Sequence, residues 1–103
     1  MQDLNSIIQL TASTVGKEFV EDAASAAEHI QRALLANKAS LSEIMQAKQN
    51  GEITDAEFEY ELEGEMKVFE TEMLAAKVIS KVAVARITNA TFACLRKLVN
   101  PLG

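Results

Sequence analysis

The 103 residues carry 15 acids and 10 bases, a formal net charge of −5, with 49% hydrophobic residues, 5% aromatic residues, one proline and no tryptophan. That much apolar material excludes a disordered chain, and so few aromatics and turn-formers argue against a β-sandwich or barrel. The negative balance argues against general nucleic-acid binding, which needs a cationic surface to displace counterions.

The length fits one domain spanning residues 1–103. Ala, Glu, Leu and Lys are abundant and Met is present four times, and all are good helix formers, so an all-α fold is expected. A single cysteine cannot form an intramolecular disulfide and asks for no oxidising compartment. Met1 to Asn5 contain no basic stretch leading into an apolar core, so no secretory leader is expected. The charge-free run from Ile87 to Leu95 is too short to span a bilayer. A cytoplasmic location follows as the default.

Asp3 or Asn5 can cap a first helix. From there Leu4, Ile8, Ala12, Val15, Phe19, Ala23, Ala26, Ile30 and Leu34 fall on one stripe, with steps of four, four and three. That period is close to the turn of a straight helix. The phase runs on through Leu41 and Met45, so one helix from about residue 4 to 49 is expected, roughly 70 Å long at 1.5 Å per residue. Gly16 and a second capping signal, Ser40-x-x-Glu43, oppose it. Breaks near Gly16 and Asn37 would instead give a compact monomeric bundle of three or four helices.

The strongest punctuation is Gln49-Asn50-Gly51-Glu52-Ile53-Thr54-Asp55-Ala56-Glu57-Phe58. Asn50-Gly51 ends a helix because both residues tolerate a left-handed backbone. Thr54-x-x-Glu57 starts the next as a capping box, with Ile53 and Phe58 spaced as a hydrophobic staple. A hinge at 50–54 is expected. Gly51-x-Ile53-x-x-x-Glu57-Phe58 resembles the second half of an EF-hand calcium loop, but Lys48 puts an ammonium where that family needs an oxygen ligand. Gly51-x-Ile53-Thr54-x-x-Glu57-Phe58 is also similar to the helix-turn-helix core of short C-terminal oligomerisation domains of bacterial proteins. That resemblance covers Leu41 to Leu62 and implies self-association without catalysis.

After the hinge, Phe58, Leu62, Met66, Phe69, Met73, Ala76, Ala83, Ile87, Ala90, Cys94 and Leu98 make a second stripe, and the only proline, Pro101, follows it. Charge divides this half. Residues 52–72 hold nine acids and one base, Lys67, whereas residues 73–103 hold five bases and no acid. Acid at a helix start and base at its end complement the macrodipole. The basic part is apolar on more than one stripe, since Leu74, Val78, Val82, Ala85 and Phe92 lie off the main one. A long antiparallel helical hairpin is therefore expected to dimerise through these five residues into a four-helix bundle.

The glutamates are the most conspicuous chemistry. Glu57, Glu61 and Glu65 share one helix face, with Glu59 and Glu63 on another. A di-metal bundle would need Glu-x-x-His motifs, and the only histidine, His29, belongs to none. No metal or cofactor is expected. His29 has no nucleophile marked out beside it, and Cys94 sits in an apolar stripe where a thiol is ordinarily inert, so no catalytic residue is assigned. Asn89-Ala90-Thr91 matches a glycosylation sequon inside a predicted helix and is read as accidental.

These features point to a small non-enzymatic interaction protein, of an adaptor, chaperone or inhibitor kind. It would dock a basic protein partner on Glu57, Glu59, Glu61, Glu63 and Glu65 and self-associate as a homodimer through its apolar C-terminal half. Two alternatives are weighed beside it. A structural or secreted helical-hairpin protein would match the size, but Asn50-Gly51 stands where that family has its Trp-x-Gly turn. An amphipathic membrane-surface protein would use the basic C-terminal part, whose apolar area is too wide for a simple interfacial helix.

Overall fold

The computed structural model describes residues 3–99; Met1, Gln2 and residues 100–103, with Pro101 among them, lie outside the described residues. Five α-helices follow one another: α1 (Leu4–Glu18), α2 (Ala26–Ala36), α3 (Lys38–Gln49), α4 (Asp55–Ala75) and α5 (Lys81–Val99). The all-α expectation holds among the described residues. The long hairpin does not.

Where one 70 Å helix was expected, the chain makes α1, α2 and α3. Asp3 caps α1 by accepting from the Ser6 amide at 2.9 Å. The chain then turns through residues 19–25, where the Phe19 carbonyl accepts from the Asp22 and Ala23 amides at 3.0 and 3.1 Å. Gly16 makes the reversal possible. A Cβ built there would lie 2.5 Å from the Ala27 Cβ, so α2 crosses α1 at a distance only a bare backbone permits. Between α2 and α3 the break is one residue, Asn37, at φ −105° and ψ 13°. The capping box expected at Ser40 does not form, because α3 begins at Lys38 and Ser40 lies inside it. The stripe itself is right. Ile8, Ala12, Val15, Ile30, Leu34 and Leu41 are all buried. A long hairpin would cover that stripe with the second helix alone, whereas folding back lets α2 as well as α5 pack on α1.

The hinge forms as its residues dictate. Gly51 sits at φ +72°; its amide donates to the Lys48 carbonyl at 3.2 Å and the Glu52 amide to the Ala47 carbonyl at 2.8 Å, closing the end of α3. Thr54 Oγ1 accepts from the Glu57 amide at 3.1 Å while Glu57 Oε1 accepts from the Thr54 amide at 2.8 Å. Lys48 spans the hairpin to Asp55 at 2.8 Å and lies 6.0 Å from the Phe58 ring centre. The ammonium that spoils a calcium loop is thus a tie between α3 and α4.

The second half breaks as well. After α4, Lys77 takes φ +60° and its amide donates to the Leu74 carbonyl at 3.2 Å. Ser80 then caps α5 by accepting from the Ala83 amide at 3.2 Å. α1 packs on α2 and α5, and α4 packs on α5, α3 and α2. Phe69 and Phe92 meet edge to face at the centre, 5.5 Å between ring centres. The result measures 39 × 22 × 21 Å with a radius of gyration of 13.1 Å, the value of about 13 Å expected for a compact domain of this length.

Candidate functional site

α4 is the longest helix and carries eight acids and one base along 21 residues. Its buried side is Phe58, Leu62, Phe69 and Met73. The five glutamates singled out from the sequence divide by task. Glu57 is spent on the capping box. Glu59 accepts from Arg96 Nε at 3.0 and 3.1 Å, tying α4 to α5, and the same guanidinium lies 3.8 Å from Met66 Sδ. Glu65 is half-buried with Oε1 lacking a hydrogen-bond partner. Burial, and secondarily the neighbouring Glu61 charge, pushes its carboxyl above the usual 4.5. Glu61 and Glu63 are exposed, and among the described residues neither is held in an ion pair.

Opposite the buried stripe, α4 carries a second line of weakly polar residues: Tyr60, Gly64, Val68, Thr71 and Ala75. Their spacing of four, four, three and four keeps them on one helix face. All are exposed; Tyr60 is 75% accessible and Val68 44%. The Thr71 hydroxyl donates to the Lys67 carbonyl at 2.9 Å, so it is satisfied on the helix itself. Helical spacing puts Glu61 and Glu72 along one border, Lys67 and then Glu63 along the other, and Glu57 on the strip's own line one turn before Tyr60. Tyr60 and Val68 were not picked out from the sequence. The signal was present as spacing, hidden by the stronger buried stripe two residues away.

The residues expected to mediate self-association separate. Phe92 is wholly buried against Phe69 and belongs to the core. This corrects its placement on an outer stripe, because with α4 and α5 as separate helices the α4–α5 contact takes that face of α5. Leu74 is half-buried. Val78 and Val82 are 60% and 70% accessible at the α4–α5 turn, with Ala85 exposed one turn on. Lys77 and Lys81 stand beside them.

An open groove of ≈ 500 Å³ runs between α4 and α5, lined among others by Glu63, Lys67, Glu70, Asn89 and Arg96, charges of both signs. His29 lines a smaller recess with Arg32 and Glu72, and Cys94 is half-buried on α5. Among the described residues no three His, Cys, Asp or Glu side chains are grouped as a metal ion would require, and no helix is long and apolar enough to cross a membrane. No protein-family model, curated protein or solved structure matches the chain.

Proposed function

We propose that the protein is a non-enzymatic interaction module that docks a basic partner on the outward face of α4, in the manner of an adaptor, chaperone or inhibitor. The supporting observation is the exposed strip of Tyr60, Gly64, Val68, Thr71 and Ala75 bordered by unpaired Glu61 and Glu63. An apolar centre with a charged rim is the usual anatomy of a docking surface, the rim speeding encounter and selecting charge. Copies associate separately through Val78, Val82 and Ala85, with Leu74 at the edge of that patch. One cysteine and no need for a disulfide keep the cytoplasm as the proposed compartment.

The test is a labelled oligolysine peptide followed by fluorescence anisotropy. Glu61→Gln with Glu63→Gln should weaken binding by about tenfold, the scale of two rim charges at low ionic strength, and should leave the fold intact. The same charge change at the exposed Glu18 and Glu21 should have little effect. Equal losses from both pairs would reduce the interaction to net charge and remove the surface from the proposal.

A further inference from the structure

Among the described residues two glycines lie within helices, and their surroundings differ. Gly16 is explained by the fold, since a Cβ there would meet Ala27 at 2.5 Å. Gly64 is not. A Cβ at Gly64 meets nothing within 4 Å, and the residue lies mid-helix in α4, where glycine is less favourable than almost any alternative. Among the described residues nothing packs where the missing side chain would be. Its place is the middle of the exposed strip, one turn after Tyr60 and one turn before Val68.

Resting on the docking role proposed above, we infer that the partner's docked segment is a basic amphipathic α-helix that crosses α4 at Gly64, with Tyr60 and Val68 packing on either side of the crossing. A bare backbone at a helix crossing lets two axes approach closely, the use this chain already makes of Gly16 against α2. The strip from Tyr60 to Ala75 is about 22 Å long, and its four-and-three spacing suits a helix laid along it. Charge selects the occupant. Glu61 and Glu72 border one side, Glu57 stands at the strip's N-terminal end, and Glu63 lies on the other side beyond the single base Lys67. The incoming helix therefore presents lysine or arginine chiefly on the flank facing Glu61 and Glu72, beside an apolar seam with a small residue at its centre. A second copy offering its own α4 would bring these acidic borders together and is disfavoured by like charge.

Tyr60 is the only tyrosine and the chain has no tryptophan, so its intrinsic emission reports on this surface without a label. The probe is a synthetic peptide of about 20 residues, enough to cover the strip as a helix, built from Lys, Leu and Ala. A second peptide of equal charge has two interior residues replaced by proline. Wild-type protein should bind the helical peptide with a change in Tyr60 emission, and the proline peptide about tenfold more weakly, since it cannot present a helix face. Gly64→Leu, at an exposed position where an added Cβ meets nothing within 4 Å, should melt no lower than wild type yet lose about tenfold in affinity for the helical peptide, the scale of spoiling a central packed contact. Glu61→Gln with Glu63→Gln should weaken both peptides. Wild-type affinity in Gly64→Leu, or equal binding of both peptides, overturns the helix crossing while leaving the acidic surface standing. If the glutamine variants bind both peptides as wild type does, the docking role beneath it fails too. A loss of self-association in Gly64→Leu without any change in peptide binding would assign the face to a second copy and overturn the inference.

Discussion

Substitutions of one kind at two glycines should move stability in opposite directions. Gly16→Ala drives a methyl into the Ala27 side chain and backbone, at 2.5 and 2.8 Å, and α2 must shift to admit it. We expect a loss of about 1–3 kcal/mol, the usual cost of overpacking. Gly64→Ala meets no neighbour and should stabilise α4 by up to about 1 kcal/mol; chemical denaturation of the pair checks both signs. Glu65 makes a pH-dependent prediction. Burial and Glu61 raise its carboxyl in the folded chain above the 4.5 of the unfolded one, so protonation favours the fold. That contribution is fully present below 4.5 and is lost as pH rises through the raised value. Glu65→Gln should therefore melt above wild type at neutral pH, with the gap closing as pH falls below about 4.5. A gap independent of pH would mean that the Glu65 charge is not the cause.

The elements differ in how far local chemistry specifies them. The hinge between α3 and α4 was legible because its parts lie within a few residues: Gly51 for the left-handed backbone, Thr54 and Glu57 for reciprocal capping. Thr54→Ala should cost about 1 kcal/mol through the lost cap. Gly51→Ala should cost a similar amount, about 1 kcal/mol, through backbone strain alone, since no atom lies within 4 Å of the added methyl. Equilibrium unfolding measures both. The breaks at residues 19–25 and at Asn37 were expected only as the alternative to a long helix, near Gly16 and Asn37, and the one at residues 76–80 was not expected at all. Neither Asn37 nor Lys77 lies beside a proline or a glycine. The first buried stripe keeps its phase past Asn37 to Leu41 and Met45, whereas at residues 76–80 the second slips, Ile79 being buried and the in-phase Ser80 exposed. A stripe records which residues face the core, not whether the helix carrying them is straight. What bends this chain is tertiary: α2 crossing at Gly16, and α5 returning along α1 and α4.

At the scale of the whole molecule, most of the core was legible, and the compact shape was only the alternative to the hairpin. In α5 the expected Ala90, Cys94 and Leu98 are half-buried while Val84, Thr88, Thr91 and Leu95 are buried. Ile8, Leu34, Phe58, Leu62 and Phe69 are buried as their spacing indicated, yet the molecule is 39 Å long rather than about 70 Å. Of the acidic site, the glutamates stood out by composition, whereas their division into capping, bridging and free carboxylates depends on where α5 places Arg96. Self-association through Val78, Val82 and Ala85 predicts a light-scattering mass of twice the 11.2 kDa chain at high concentration. Val82→Glu should return it to the chain mass, as an exposed site tolerates the charge. A single-chain mass for wild type at every concentration would remove that patch from the account. The most direct test of the central claim is a residue-resolved NMR titration of isotope-labelled protein with the basic helical peptide. Docking on the outward face of α4 predicts shifts confined to Glu57, Tyr60, Glu61, Glu63, Gly64, Val68, Thr71 and their neighbours, shrinking as salt is added. A footprint centred on α5 or the α1–α2 turn, or spread evenly over every acidic side chain, would contradict it.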